Sequence, residues 1–550
     1  MNLFEKHNAQ LHEAMIALHR RFYFVAYPEH PGAYGEDENT KGKTAFENLR
    51  GKPFADLLQT GETKQAGEEV SPYTLEKTGI TYPFSDAETL VARAVSSRRA
   101  WQDAGVEMRA GILMESLDRM RARFFEIAYA TMHTTGQSFM MAFQASGPHS
   151  ADRALEALAM AYAELIRFPK ETDWEKPMGK ISVKLHKTYK PVGRGVGLVI
   201  GCSTFPTWNS MPGIYANLVC GNPVIVKPHP GAVLPIAIVV AEIQKVLHEN
   251  GFDTNTIQLA ADSAETPLAK KLAEHPSVKL IDYTGGSAFG KYIEALPGKI
   301  SFTEKAGVNS VILDSVVNLD AVLQNLAFSV CLYSKQMCTS PQNFFIPANG
   351  VKEGDTLVPF DEVAARFKKQ IEDLVANPKT GAGTLAALQN VNTLNRVRNA
   401  KNLGKVLLEA KIVAQPGFEK AMTCSPVMLE VESKDKVVFE GELFGPIIVL
   451  VKTKDTTESV SLAKEMAAKH GAITCAAYTT DAATEEHIYR EMEDVFVPVS
   501  VNLTGFIWVN QHAAFSDLHV SGGNPAGNAC FVNPDFVNRR FVWVGHRKVI

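Results

Sequence analysis

Gly197-Leu198-Val199-Ile200-Gly201 and, further on, Asn222-Pro223-Val224-Ile225-Val226-Lys227 are short apolar runs bounded by Gly or Pro. Unbroken runs of this length are what strands buried on both faces look like, and such strands belong to parallel sheets connected by helices. The intervening sequence supplies the helices. Pro235 to Asn250 sets Ile236, Val239, Val240, Ile243, Val246 and Leu247 on one helical face, and Gly251 can end it. Ile257-Gln258-Leu259, a helical stretch near 264–274 and Val278-Lys279-Leu280-Ile281-Asp282 continue the alternation. Residues 195–290 thus read as a parallel α/β sheet, an architecture that holds ligands at the carboxyl ends of its strands.

Upstream, residues 1 to about 80 mix short amphipathic pieces with Gly and Pro, as in Tyr27-Pro28-Glu29-His30-Pro31-Gly32, and suggest an extension draped on the surface. Ser85 and Asp86 can cap a helix carrying Leu90, Ala92, Ala94 and Trp101, and helical stretches follow near 108–132 and 150–167. The Lys-rich segment 170–191 alternates like a β-hairpin through Ile181, Val183 and Leu185. A second α/β half begins near Gly307, with strands expected at Ser310-Val311-Ile312-Leu313, Asn343–Pro347, Ile447–Val451 and Phe506–Asn510. A cleft between two such units is a natural place for chemistry.

A chain of 550 residues is too long for one core, because single domains rarely exceed ~250–300 residues. Its net charge of −4 and lack of a basic run argue against a nucleic-acid partner, whose affinity comes from clustered Lys and Arg. The N-terminus has no apolar signal core and no later stretch reaches the ~18 apolar residues of a membrane span, so a cytoplasmic protein without a membrane partner is expected. Seven scattered cysteines with no CxxC pair, and histidines with no HExxH, point neither to a disulfide framework nor to a metal site.

Cys338 stands in Ser334-Lys335-Gln336-Met337-Cys338-Thr339-Ser340, and Glu304 in Phe302-Thr303-Glu304-Lys305-Ala306-Gly307. A thiol nucleophile and a carboxylate base are what covalent catalysis on a carbonyl needs, although a lone cysteine is more often an inert core residue. Gly285-Gly286-Ser287-Ala288-Phe289-Gly290-Lys291 superficially matches a P-loop, but the next residue is Tyr292 where magnesium binding needs Ser or Thr. A plain tight turn or a dinucleotide pyrophosphate turn remains. Asn209, in the turn after Ile200, could donate to an oxyanion or simply hold the turn. Lys227 at a strand end could meet ribose or phosphate oxygens or remain a solvated lysine. Glu442 and Phe444 lie on a loop before a strand and could be incidental.

Taken together, Asn209, Lys227, Gly285 and Gly290, Glu304, Cys338, Glu442 and Phe444, and Trp508-Val509-Asn510 resemble the aldehyde dehydrogenase superfamily in order and spacing over about residues 85–515. The resemblance implies a Rossmann-type nucleotide-binding domain of residues 85–169 and 192–306, a catalytic α/β domain of 307–515, oligomerisation segments at 170–191 and 516–550 forming a small β structure, and an N-terminal extension of 1–84. It implies that Cys338 forms a thiohemiacetal and then a thioester, that Asn209 stabilises the oxyanion, and that Glu304 activates the hydrolytic water. Thr207, Lys227, His229, Pro230, Gly285, Gly290, Glu442 and Phe444 fall at cofactor-binding positions. In NAD-preferring relatives the position of Pro230 is often a carboxylate, so NADP is the expected cofactor, with NAD also accepted. A homodimer or dimer of dimers is the implied assembly.

The stretches Phe22–Pro31 and Glu69–Tyr73 resemble the phenylacetic acid degradation PaaN-like branch, which implies a CoA-linked semialdehyde substrate. The added hydratase domain of bifunctional relatives is not expected here. Three departures from the family pattern stand out: Glu304-Lys305-Ala306-Gly307-Val308 replaces Glu-Leu-Gly-Gly-Lys, Lys335 replaces the usual Gly before Gln336, and Ser521–Asn528 replaces a glycine-rich C-terminal signature. A CoA-acylating enzyme, which often lacks the hydrolytic Glu, and a non-catalytic binding descendant are the alternatives. Retention of Glu304 and Cys338 speaks against each.

Overall fold

In the computed structural model, which describes residues 2–59, 64–506, 514–516, 519, 522–529 and 533–550, the N-terminal segment is helical. Asn2 opens helix α1 (Leu3–Arg20) with a capping box, its side chain accepting from Glu5 N while Glu5 returns a bond to Asn2 N. Leu11, Ala14, Ala17 and Leu18, together with Phe46 from α2 (Glu38–Leu49) and with Tyr27 and Phe54, join the largest hydrophobic core. The described part of the first 84 residues therefore contributes to that core and is not merely draped over it. Two of the five buried residues of α1 are alanine, which contrasts too little with its neighbours for the helical period to stand out.

Helices α3 (Ala87–Asp103), α4 (Val106–Arg121), α5 (Phe124–Thr135), α6 (Phe139–Ser146) and α7 (Pro148–Leu165) follow. Asp86 caps α3 by accepting from Thr89 N at 2.8 Å. The helix expected over 108–132 is two helices, broken at Arg123, whose guanidinium donates to Glu126, Glu242 and Asp56. The expected hairpin is present as antiparallel strands β1 (Glu171–Met178) and β2 (Ile181–Gly193).

The chain then builds the expected parallel sheet from β3 (Val196–Ile200), β4 (Val224–Lys227), β5 (Ile257–Leu259), β6 (Val278–Gly285) and β7 (Ile300–Lys305), in the order β5-β4-β3-β6-β7. Every pair is parallel. Its crossovers are α8 (Pro206–Val219), α9 (Leu234–Glu249), α10 (Ala269–Glu274) and α11 (Ser287–Glu294). The order reverses between β3 and β6, and the crevice at that switch point is where such sheets bind ligands. Strand β7 had no counterpart in the sequence reading, and it carries Glu304. Helix α10 starts later than the expected 264: Pro267 precedes it, and Asp262 accepts from Leu268 N at 2.9 Å.

The second sheet runs β10-β11-β12-β9-β8-β13-β14. Its members are β8 (Ser310–Leu313), β9 (Asn343–Pro347), β10 (Lys405–Leu408), β11 (Val427–Glu432), β12 (Ile447–Thr453), β13 (Cys475–Tyr478) and β14 (Val499–Val501). Only β10 is antiparallel to its neighbour. Strands β8, β9 and β12 match the sequence expectation. The strand expected over 506–510 lies outside the described residues beyond Phe506, and Trp508, Val509 and Asn510 with it. Strand β15 (Phe541–Val549) crosses back to pair with β2, giving a three-stranded sheet β15-β2-β1.

Candidate active site

Helix α12 (Leu319–Cys331) ends in a tight turn in which Tyr333, Ser334 and Lys335 all take positive φ, at 51°, 49° and 56°. Non-glycine residues pay for this conformation, and it persists only where surroundings over-determine it. Here Tyr333 Oη donates to Thr135 O at 2.6 Å, Ser334 Oγ to Leu385 O at 2.8 Å and Lys335 Nζ to Leu443 O at 3.2 Å. A glycine, usual at position 335 in the family pattern, would hold φ 56° at no steric cost; Lys335 replaces that freedom with an anchor. The turn delivers Cys338 half-buried, and Asn309 Nδ2 grips the backbone on either side by donating to Cys338 O at 2.7 Å and Ser340 O at 3.0 Å. Asn309, which sequence reasoning passed over, also accepts from Ile473 N and Thr474 N, so one buried amide joins the nucleophile turn to the entry of β13.

Glu304 arrives on β7, 2% exposed. Its carboxylate, the Cys338 thiol and the imidazole of His519 have their reactive atoms within 4.8 Å of one another. Burial raises the Cys338 thiol well above its ordinary value, and the facing carboxylate raises it further. Burial also pushes the Glu304 carboxyl up, but His519, 3.3 Å from Oε1, outweighs it and brings the group below its usual range. Glu304 Oε2 is buried and accepts no hydrogen bond. The second residue that sequence reasoning missed is therefore His519; it falls in the stretch assigned to oligomerisation, and no local motif marks it.

Asn209, on α8, lines the same cavity as Cys338, and its Nδ2 donates to Cys202 Sγ at 3.3 Å. The cavity has a volume of about 540 Å³ and is walled by Phe139, Met140, Phe205, Trp208, Phe328 and Phe506. Among its described lining residues none is Lys or Arg. Its more exposed side holds Glu29, whose carboxylate meets His149 Nε2 at 2.7 Å.

Of the remaining positions, Lys227 and Gly285 end strands of the first sheet and the others lie on nearby or separate loops and helices. Lys227, at the end of β4, is buried, donates to Pro228 O at 3.0 Å and pairs with Asp262 Oδ1 at 2.7 Å. His229 and Pro230 follow on the surface side, His229 Nδ1 accepting from Gly231 N. Gly285 and Gly286 lead into α11, and a Cβ at Gly286 would meet nothing, so its backbone is open to a ligand. Gly290 does other work: a Cβ there would run into the Lys305 side chain, so this glycine lets α11 lie close on β7. Thr207 is not brought to the crevice. It is wholly buried, donating to Ser146 O at 3.1 Å and accepting from Ser150 Oγ at 3.0 Å, because the first turn of α8 packs into the helical layer.

Glu442 and Phe444 sit on the loop before β12, pinned where Arg396 donates to Phe444 O at 2.6 Å and Gln342 to Gly441 O at 3.0 Å. Burial lifts the Glu442 carboxyl to about 7, held from going higher by Lys335, whose own amine burial brings down to about 8.

A model of the aldehyde dehydrogenase family matches residues 60–526 of this chain. The crystal structure of an NAD-dependent aldehyde dehydrogenase from Burkholderia multivorans superposes with a TM-score of 0.98 at 42% identity, covering 100% of this chain and 99% of that one. The 1-pyrroline-5-carboxylate dehydrogenase of Bacillus subtilis (strain 168) is 23% identical over 426 residues, 75% of this chain and 76% of that protein. A 1-pyrroline-5-carboxylate dehydrogenase from Thermus, solved with bound NAD, shares the fold at a TM-score of 0.73 and 18% identity over 96% of this chain and 99% of that one.

Proposed function

Because this chain belongs to the aldehyde dehydrogenase family, and is an oxidoreductase by that membership, we propose that it oxidises an aldehyde to the carboxylic acid through a thioester on Cys338, with NAD as oxidant. The observation that carries the reading is the half-buried Cys338 thiol facing the Glu304 carboxylate at the base of an apolar cavity. The thiol proton leaves for the carboxylate as the sulfur attacks the aldehyde carbon, and Asn209 and the Cys338 backbone N–H can meet the oxyanion. The open backbone at Gly286 and the strand-end Lys227 fit a dinucleotide at the switch point, with Glu442 and Phe444 across from it; when bound, the cofactor takes the substrate's hydride. The acyl group is then left on Cys338. Once Glu304 has released the thiol's proton to solvent, it takes a proton from the water that attacks the thioester, the C–S bond breaks with Cys338 leaving as the thiolate, and the acid departs. A carboxylate already placed against the thioester supports hydrolysis over transfer to CoA.

Two features support finer readings. Pro230 leaves out one carboxylate and alone would admit the 2′-phosphate of NADP, but Asp262 brings a buried carboxylate to the same strand end and already neutralises Lys227. That charge count supports NAD. The residues that resemble the PaaN-like branch include Glu29, which lines the cavity, and the walls are apolar with no described cation to hold a substrate carboxylate. This supports a CoA-linked semialdehyde whose hydrocarbon end enters while the charged carrier stays outside. The three-stranded sheet, with exposed Met178, Ile181 and Val549, supports assembly with further copies of the chain as a dimer or dimer of dimers.

Following NADH absorbance with a panel of free and CoA-linked semialdehydes tests the reading, with Glu304→Gln as its probe. This variant should keep a single-turnover burst while steady turnover falls roughly 10²–10⁴-fold, the usual contribution of a general base. Mass spectrometry should find the acyl group on Cys338. Full steady turnover with no trapped thioester would sink the hydrolytic role.

A further inference from the structure

His519 comes from a stretch of chain that has no place in the chemistry derived above, yet it is packed into the centre of the site. Its side chain is 1% exposed and that of Glu304 3%, with Nε2 and Oε1 at 3.3 Å. Trp208 meets the ring edge-on at a centroid distance of 4.9 Å, and the Arg153 guanidinium lies over the Trp208 ring at 3.9 Å. Residues 526–528, further along the chain, are tied to β7. Glu304 bridges Gly527, Asn528 N donates to Thr303 O at 2.8 Å, and Lys305 N donates to Ala526 O.

We propose that His519 is a positioning residue for the base: its Nε2–H holds Oε1 of Glu304, so that Oε2, which accepts no hydrogen bond, is left aimed at the thiol and at the water that attacks the thioester. The inference rests on the Cys338 thioester reading and adds to it the group that fixes the base. The charged and titratable groups around the imidazole are Glu304, Arg153 and, beyond the carboxylate, Cys338 and Cys202. Burial draws the imidazole's pKa down while the Glu304 carboxylate draws it up, so the ring meets Oε1 both through its charge and as a hydrogen-bond donor. Without that donor, burial wins at Glu304 and its carboxyl rises. The base form is populated only above the carboxyl's pKa, so the acid side of the hydrolysis profile must move to higher pH.

p-Nitrophenyl acetate tests this without cofactor or aldehyde. The Cys338 sulfur attacks the ester carbonyl, p-nitrophenolate leaves as a burst, and water then releases acetate in the steady phase. His519→Ala should keep the burst, slow the steady phase roughly 10- to 100-fold and shift its acid inflection upward. His519→Gln, whose amide N–H can still donate, should recover most of the rate and return the inflection toward the wild type. An unchanged inflection and steady phase in His519→Ala, or a Gln variant no better than Ala while circular dichroism shows both folded, would overturn the proposal. No burst in the wild type would take down the thioester reading itself, and this inference with it.

Discussion

At Cys338 and Cys331 two thiols seven residues apart have opposite fates. Cys331 ends α12 fully buried, and burial alone drives its thiol up, with no base nearby. Cys338 opens onto the cavity against Glu304. Cys338→Ala should therefore cost roughly 10⁴-fold or more in turnover, as expected when a nucleophile is removed, whereas Cys331→Ala should cost only about 1 kcal/mol of stability. Alkylation by iodoacetamide followed by peptide mapping checks the same point, and loss of activity with label on Cys331 alone would reverse the assignment. At the other end of the crevice, Asp262→Asn removes the carboxylate beside Lys227 and frees its charge to meet a phosphate. The ratio of NADP to NAD affinity, read by titration of bound-cofactor fluorescence, should rise about tenfold, about 1.4 kcal/mol. An unchanged ratio would show that Asp262 does not face the adenosine ribose.

Elements meet around a buried ion pair that no local pattern announces. Arg540, just before β15, is fully buried and donates to both oxygens of Asp282 on β6 at 2.8 and 2.6 Å, with its guanidinium 3.8 Å from the Phe302 ring of β7. Asn217 of α8 donates to the same carboxylate. One arginine thus ties the C-terminal segment to the sheet that forms the crevice. Arg540→Ala strands a buried carboxylate and should destabilise the protein by about 3–5 kcal/mol, read as a fall in the urea midpoint. Pairing it with Asp282→Asn should recover part of that loss, because the stranded charge, not the missing attraction, is the larger cost. If the single and double variants unfold at the same midpoint, the pair is not the tie described.

On the scale of the whole molecule, no helix among the described residues is long and apolar enough to cross a membrane. One group of exposed apolar side chains lies on or beside the three-stranded sheet: Met178 is 52% exposed, Ile181 67%, Val549 79% and Ile550 57%. Ile181→Lys combined with Val549→Lys should weaken self-association on the order of 100-fold by placing cations where apolar residues would be desolvated, while leaving each active site intact. Sedimentation at several concentrations should show a smaller species than the wild type; an unchanged mass would remove this sheet as the interface.

Strands β3, β4, β5 and β6 and the helix over 234–249 were legible in the sequence because each is a local signal: an apolar run or a 3.6-residue period. Asn209, Glu304 and Cys338 were also legible, but only jointly, since order and spacing along the chain survive when no single residue is distinctive. Other assignments needed the tertiary structure. Thr207 faces inward because α8 packs its first turn into the helical layer, and Gly290 serves α11 against Lys305. Asn309, Asp262 and His519 meet partners that are far away in sequence or on another element, 29 residues for Asn309 to Cys338 and 215 for His519 to Glu304. Periodicity reports which face of an element is buried. It carries no information about which buried polar group will find which partner, because that pairing is set by how the elements close on one another and by the cost of leaving any such group unpaired.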